Sequence, residues 1–226
     1  FETLAMVNAD GSPLAAEAKY TYPLKAGEEK SVAATKSFIA SLYASASLIG
    51  EYSQDIELLN ALPSAYQTLE NNKPIPWQRV IDLLSTSEKT MIVGRGLGLS
   101  IALEASLKLK ETCHIQAEAF SAAEILHGPQ AVIEDKYPLI IFALRGESQK
   151  ALFDLGQKMK DRGAHVIVIS DKDNELTDCL YKPSSHIDLD PINAIHQFYI
   201  TVEALALAKG LNPDQPRSLS KVTLTI

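Results

Sequence analysis

The sequence predicts an α/β protein built on a doubly wound parallel sheet. From Thr90 onward, short apolar runs alternate with helical stretches, the order that produces βαβ units. The main runs, MIV at 91–93, LIIFAL at 139–144 and HVIVIS at 165–170, are apolar at nearly every position. Parallel strands covered on both faces read this way, because neither face needs polar residues.

Taken in order, residues 2–8 (ETLAMVN) read as a buried strand, closed by the turn residues Asn8, Asp10, Gly11 and Pro13. Residues 20–24 are a second short strand and 25–30 (KAGEEK) a polar loop. From 31 to about 52, Val32, Phe38, Ile39, Leu42, Tyr43, Leu48 and Ile49 recur at three and four, a helical period. Residues 56–69 are a second helix, interrupted at Pro63 and Ser64, and 71–77 (NNKPIPW) a linker. A short helix at 77–84 precedes a strand at 90–93. The glycine turn GRGLG and a helix at 99–113 follow, then an extended segment and a helical turn leading to His127-Gly-Pro. Next come a strand at 139–144, a helix at 147–162, strands at 165–170 and 186–189, and a helix at 195–209. Pro213 and Pro216 keep the tail extended to Arg217, with 222–226 a candidate edge strand. Because residue 1 already enters a strand, the chain is expected to be a portion of a longer one.

The net charge of −7 argues against nucleic-acid or anionic-membrane partners, which need a basic stripe. It leaves room for a small anionic substrate, since a helix N-terminus binds phosphate without lysine. Cys113 and Cys179 show neither metal spacing nor a disulfide framework, as expected in a reducing cytoplasm. No apolar run reaches the roughly 18 residues of a membrane span, and no signal-peptide pattern is visible.

Glu104, Lys108 and Glu111 fall four and three apart on one helix face. The plain reading is a solvated face with one ion pair. The functional reading is proton-transfer chemistry in a cleft. It rests on the helix starting at the carboxyl edge of a parallel sheet, where ligands bind. It also rests on Leu103, Leu107 and Leu109, which spread apolar surface around the helix. GRGLG lacks the third glycine of a dinucleotide fingerprint and reads as a close-approach turn. His127, held before a rigid Gly-Pro, is a candidate acid/base or a structural histidine. His114, His165, His186 and His196 read as structural, and no pair suggests a metal site. Lys221, four residues after Arg217 on a tail able to fold as a lid, is either solvated or functional. Arg145, Gly146, Glu147 and Ser148 open a helix after a strand, a possible phosphate-binding start.

Together LEASLKLKE, AEAFSAAEILHGP, DQPRSLSK and EKSVAATKSF resemble the two-domain phosphosugar isomerases built from sugar-isomerase (SIS) domains. That group includes the isomerase half of glucosamine-6-phosphate synthase and the SIS-type glucosamine-6-phosphate deaminases. The resemblance covers nearly the whole chain. It implies that 1–70 is the C-terminal part of a first SIS domain, 71–211 a second SIS domain and 212–226 an active-site tail. It implies that Glu111 shuttles the proton between carbons 1 and 2 of the open-chain sugar. His127 opens the ring in the neighbouring subunit of a homodimer, and Lys221 engages the carbonyl. Val32, Ala33, Ala34 and Thr35 line the sugar site, while Glu104 and Lys108 support the helix. No metal or redox cofactor is implied, and the substrate is an amino sugar phosphate.

Ala34 stands where the synthase has serine, removing one hydroxyl. The front of the first SIS domain, which carries the phosphate grip, is absent from these residues, so they should bind substrate poorly alone. Ala-Thr-Lys at 34–36, KETC and the tail favour glucosamine-6-phosphate deaminase as the first reading. The alternatives are the isomerase part of a glutamine-dependent synthase, a fructosamine-phosphate deglycase, or a noncatalytic sugar-phosphate sensor.

Overall fold

The computed structural model describes residues 2–71 and 73–221. A small parallel sheet pairs β1 (Leu4–Val7) with β2 (Tyr20–Pro23) across a short helix, α1 (Pro13–Glu17). Three helices follow, α2 (Lys36–Ser53), α3 (Ile56–Asn71) and α4 (Gln78–Leu84). The rest runs β3 (Lys89–Gly94), α5 (Leu97–Cys113), β4 (Gln116–Ser121), β5 (Pro138–Phe142), α6 (Gln149–Asp161), β6 (His165–Ser170), β7 (Cys179–Leu180) and α7 (Asp190–Ala208). The last five strands form one parallel sheet in the order β4-β3-β5-β6-β7. The α/β class and the parallel sheet are those expected from the sequence.

Successive strand residues face opposite ways, and the strands use both. Ile92, Ile140, Phe142, Ile167 and Ile169 pack with α4, α5 and α7. Met91, Val93, Leu139, Ile141, Val166 and Val168 pack with α6. A separate cluster joins Leu58, Leu62 and Ala65 of α3 to Leu189 and Ile192 at the start of α7. Among the described residues no helix is long and apolar enough to cross a membrane.

The GRGLG turn is a close-approach turn, as read. A Cβ on Gly94 would overlap the backbone carbonyl of Gly98, and Gly96 has φ +56°. Because the clash is with backbone, no rotamer relieves it. Gly94→Ala is expected to destabilise the protein by about 3 kcal/mol, the upper end for overpacking. Amide exchange in β3 checks this, and parent-like protection would refute it.

Several expectations change. The first strand is half-exposed, with only Ala5 and Val7 buried. Helix α2 starts at Lys36, leaving 31–35 irregular. Helix α3 continues through Pro63, its inner face held on the core by Leu58, Ala61, Leu62 and Ala65. Within the linker, Trp77 is pinned: its amide donates to Thr201 Oγ1 and its indole to the Leu180 carbonyl. The expected strand at 186–189 is a 3-10 turn, Ile187–Leu189, capped by His186. The last strand is instead β7, and α7 begins at Asp190. The candidate strand at 222–226 lies outside the described residues.

Candidate active site

Helix α5 carries the charged cluster at the predicted spacing. Lys108 sits between two carboxylates, its Nζ 2.5 Å from Glu111 Oε2 and 3.6 Å from Glu104 Oε1. The Glu104 and Lys108 side chains are 7% and 3% exposed, whereas Glu111 keeps 23%. The plain reading of a solvated ion pair is excluded by that burial. The outward face carries Leu103 and Leu107, both exposed, so the charged face is the buried one. Tyr199 of α7 donates its hydroxyl to Glu104 Oε1 at 2.7 Å. Burial raises the Glu104 carboxyl above its ordinary value, against the opposing pull of Tyr199 and Lys108. Burial also pushes the Tyr199 hydroxyl up, aided by the Glu104 charge, so it stays protonated as a donor.

The cluster is not at the carboxyl edge of the sheet. Helix α5 starts there, but Glu111 lies in its last turn, roughly 20 Å along the axis at about 1.5 Å per residue. It faces the amino edge, and its cleft is made by other parts of the chain.

Ser31, Ala33, Thr35 and Lys36 make one wall, and Glu29 holds that segment. Its carboxylate accepts from the amides of Thr35 and Ser37 and from the Ser37 hydroxyl, which starts α2 at that point. Burial would raise the Glu29 carboxyl, but these hydrogen bonds outweigh it and hold the group below its ordinary value. Residues 31–35 are thereby left free to meet the tail. The Val32 amide donates to the Asp214 carbonyl at 3.3 Å, and the Ser31 hydroxyl to the Asp214 carboxylate at 2.5 Å. Lys221 donates from Nζ to the Ser31 carbonyl at 2.6 Å.

A cavity of about 350 Å³ lies between this segment and the helices, lined by Ala33, Thr35, Lys108, Thr112, Tyr199 and Asp214 among others. A second cleft of about 320 Å³ holds Glu111 with Arg217 and Ser218 of the tail. The structure therefore brings together Ala33, Thr35 and Lys108, joins Glu111 to them through the Lys108 ion pair, and sets Lys221 at Ser31. Val32 is held by the tail, and Ala34 is half-buried without lining either opening. The tail around Arg217 is a turn, with Ser218 at φ +63°.

His127 stands apart, exposed in the 3-10 turn Ile125–His127. Glu111 precedes β4 and His127 follows it, so the strand's six residues separate them, roughly 17 Å at about 3.3 Å per residue. One chain does not bring these two residues together.

In the Arg145–Ser148 stretch the arginine is already engaged by an acid. Asp190 takes the guanidinium with both oxygens, Nε to Oδ2 at 2.5 Å and Nη2 to Oδ1 at 2.7 Å. Glu147 and Asp188 also line the crevice there. An anion would meet a neutralised arginine, two carboxylates and one further cation, Arg95, whose Nη1 donates to the Ser121 hydroxyl. Sequence reasoning also passed over Tyr199, Glu29 and Asp214. No local pattern marks them, because each acts on residues distant in the chain or through a loop.

The chain resembles known proteins in sequence and in fold. Glutamine–fructose-6-phosphate aminotransferase (isomerizing) of Streptococcus pneumoniae is 35% identical over 233 residues, covering 97% of this chain and 38% of the relative. The chain thus spans about two fifths of the length of that curated relative. A solved structure assigned as a phosphosugar isomerase of Silicibacter pomeroyi superposes with TM-score 0.84 at 34% identity, covering 93% of this chain and 64% of the other. The C-terminal domain of glucosamine-fructose-6-phosphate aminotransferase of Francisella tularensis gives TM-score 0.75 at 25%, covering 94% and 65%. Glucosamine-6-phosphate deaminase of Thermotoga maritima gives TM-score 0.75 at 21%, covering 96% and 65%, a likeness of fold alone. The SIS domain model matches residues 83–208, more than half of the sequence, and the chain belongs to the SIS-domain family.

Proposed function

We propose that the chain carries the isomerase chemistry of a glutamine-dependent glucosamine-6-phosphate synthase, interconverting ketose and aldose forms of an amino sugar phosphate. The observation that carries the reading is Glu111, a partly exposed carboxylate held 2.5 Å from a buried lysine at the mouth of a cleft. In the synthetic direction, ammonia condenses with the ketose carbonyl at carbon 2 and water leaves. Glu111 takes a proton from carbon 1 of the imine and returns it to carbon 2, while the carbon-1 hydroxyl proton passes to the imine nitrogen, giving the 2-amino aldose. A single carboxylate over two adjacent carbons suits this transfer, and the ion pair with Lys108 holds it in place.

Lys221, on the tail that folds over 31–35, engages the open-chain carbonyl. His127 opens the sugar ring of a neighbouring subunit, which its distance from Glu111 within one chain favours, so the working unit is a homodimer. Residues 1–70 act as the end of a first SIS domain, 71–211 as a second and 212–226 as the tail that closes the site. The deaminase reading ranks below this one, because its support is a fold-level likeness whereas the 35%-identical relative is an aminotransferase.

The test uses the protein at full natural length. Fructose 6-phosphate with glutamine should yield glucosamine 6-phosphate. Ammonia released from glucosamine 6-phosphate, without glutamine-dependent synthesis, would install the deaminase reading instead. Neither reaction from folded protein would defeat the isomerase reading.

A further inference from the structure

We propose that Tyr199 is a positioning residue which, through Glu104 and Lys108, sets the orientation and proton affinity of Glu111. The proposal rests on reading Glu111 as the proton shuttle. The connection is continuous. Tyr199 Oη lies 2.7 Å from Glu104 Oε1, Glu104 Oε1 lies 3.6 Å from Lys108 Nζ, and Lys108 Nζ lies 2.5 Å from Glu111 Oε2. Tyr199, Glu104 and Lys108 are all buried, and Glu111 opens on a cleft.

A hydroxyl donating to a carboxylate favours its ionised form. Ionised Glu104 competes with Glu111 for the Lys108 charge and adds a like charge of its own. Both effects reach Glu111 through the shared Lys108 ammonium. A base with too low a proton affinity is a weak acceptor from carbon, so this division of one ammonium between two carboxylates matters to the rate. The tyrosine acts at two removes from the reacting carbons and touches no substrate.

Other charged groups face the cluster and stay constant in the test. They are Glu29 from the segment before α2, Lys36 at the start of α2, His196 and Glu203 from α7, and Asp214 and Arg217 from the tail. Lys110 and His114 lie on or just beyond α5 itself, beside Glu111.

The experiment is Tyr199→Phe in the full-length protein, read by carbon-13 carboxyl titration of Glu104 and Glu111 and by the pH profile of kcat. Loss of the donor raises the Glu104 carboxyl. Neutral Glu104 then releases Lys108, and the Glu111 carboxyl falls. The acid limb of kcat should move about one pH unit lower, and plateau kcat should drop about tenfold with KM within about twofold. Glu104→Gln, uncharged at every pH, should lower the Glu111 titration in the same way, and adding Tyr199→Phe to it should shift nothing further. A Glu111 titration unmoved in folded Tyr199→Phe protein overturns the proposal. Should that variant not fold, an unmoved titration in Glu104→Gln overturns it. If the titrations move as stated but no sugar phosphate is turned over by the parent, the coupling stands and the shuttle reading of Glu111 falls.

Discussion

Glu111→Gln is expected to lower kcat by about 10²–10⁴-fold, the range carried by a positioned acid/base group, with KM nearly unchanged. Glutamine has the same shape and fills the same place at the end of α5, but its amide cannot accept a proton at working pH. The fold should tolerate the change. Glu111 is partly exposed, and Lys108 would retain Glu104, 3.6 Å away, as a counter-charge. Substrate binding depends mainly on other groups, so the loss should fall on the chemical step. Exchange of the carbon-1 hydrogen of fructose 6-phosphate with solvent isolates that step from ammonia delivery. Near-parental exchange in the variant would remove Glu111 from the shuttle role.

The charged face of α5 was legible in sequence, and the reason is local. Spacings of four and three place Glu104, Lys108 and Glu111 on one face whatever surrounds the helix. Strands β3, β5 and β6 were equally legible, because burial on both faces leaves an unbroken apolar run. What the face meets is a different kind of fact. Tyr199 lies 95 residues from Glu104 in sequence. The sequence periodicity also carried α2 back to residue 31 through Val32. It could not show that the Glu29 carboxylate would claim the Thr35 and Ser37 amides and cut the helix there. The apolar residues of α5 misled in the opposite sense. Leu103 and Leu107 suggested burial all round, yet they are exposed while the lysine is covered. Strand β7 is two residues long and has no room for a pattern.

Arg145 shows why a cation after a strand cannot be assigned a ligand from sequence, and its partner Asp190 yields a large expected effect on stability. Asp190 is fully buried at the start of α7. Besides the two bonds from Arg145, it accepts from the Tyr181 hydroxyl at 3.0 Å, the Ser184 amide at 2.8 Å and the Ser184 hydroxyl at 3.2 Å. These bonds tie the end of β5 to the start of α7. Asp190→Asn removes the charge and turns one acceptor oxygen into a donor that faces other donors. Breaking a buried pair costs about 3–5 kcal/mol. Arg145 is 29% exposed and can recover some hydration, so about 3 kcal/mol is expected. Exchange of the Ser184 amide and of α7 amides should then accelerate by about 100-fold, since about 1.4 kcal/mol is tenfold. Removing Arg145 as well, in Asp190→Asn with Arg145→Met, should cost less than the two single changes summed, because no unpaired charge remains. Strict additivity, or exchange at the parental rate in Asp190→Asn, would mean that the pair does not hold this corner of the fold. Arg145 would then return as a candidate for binding an anion at the carboxyl edge of the sheet.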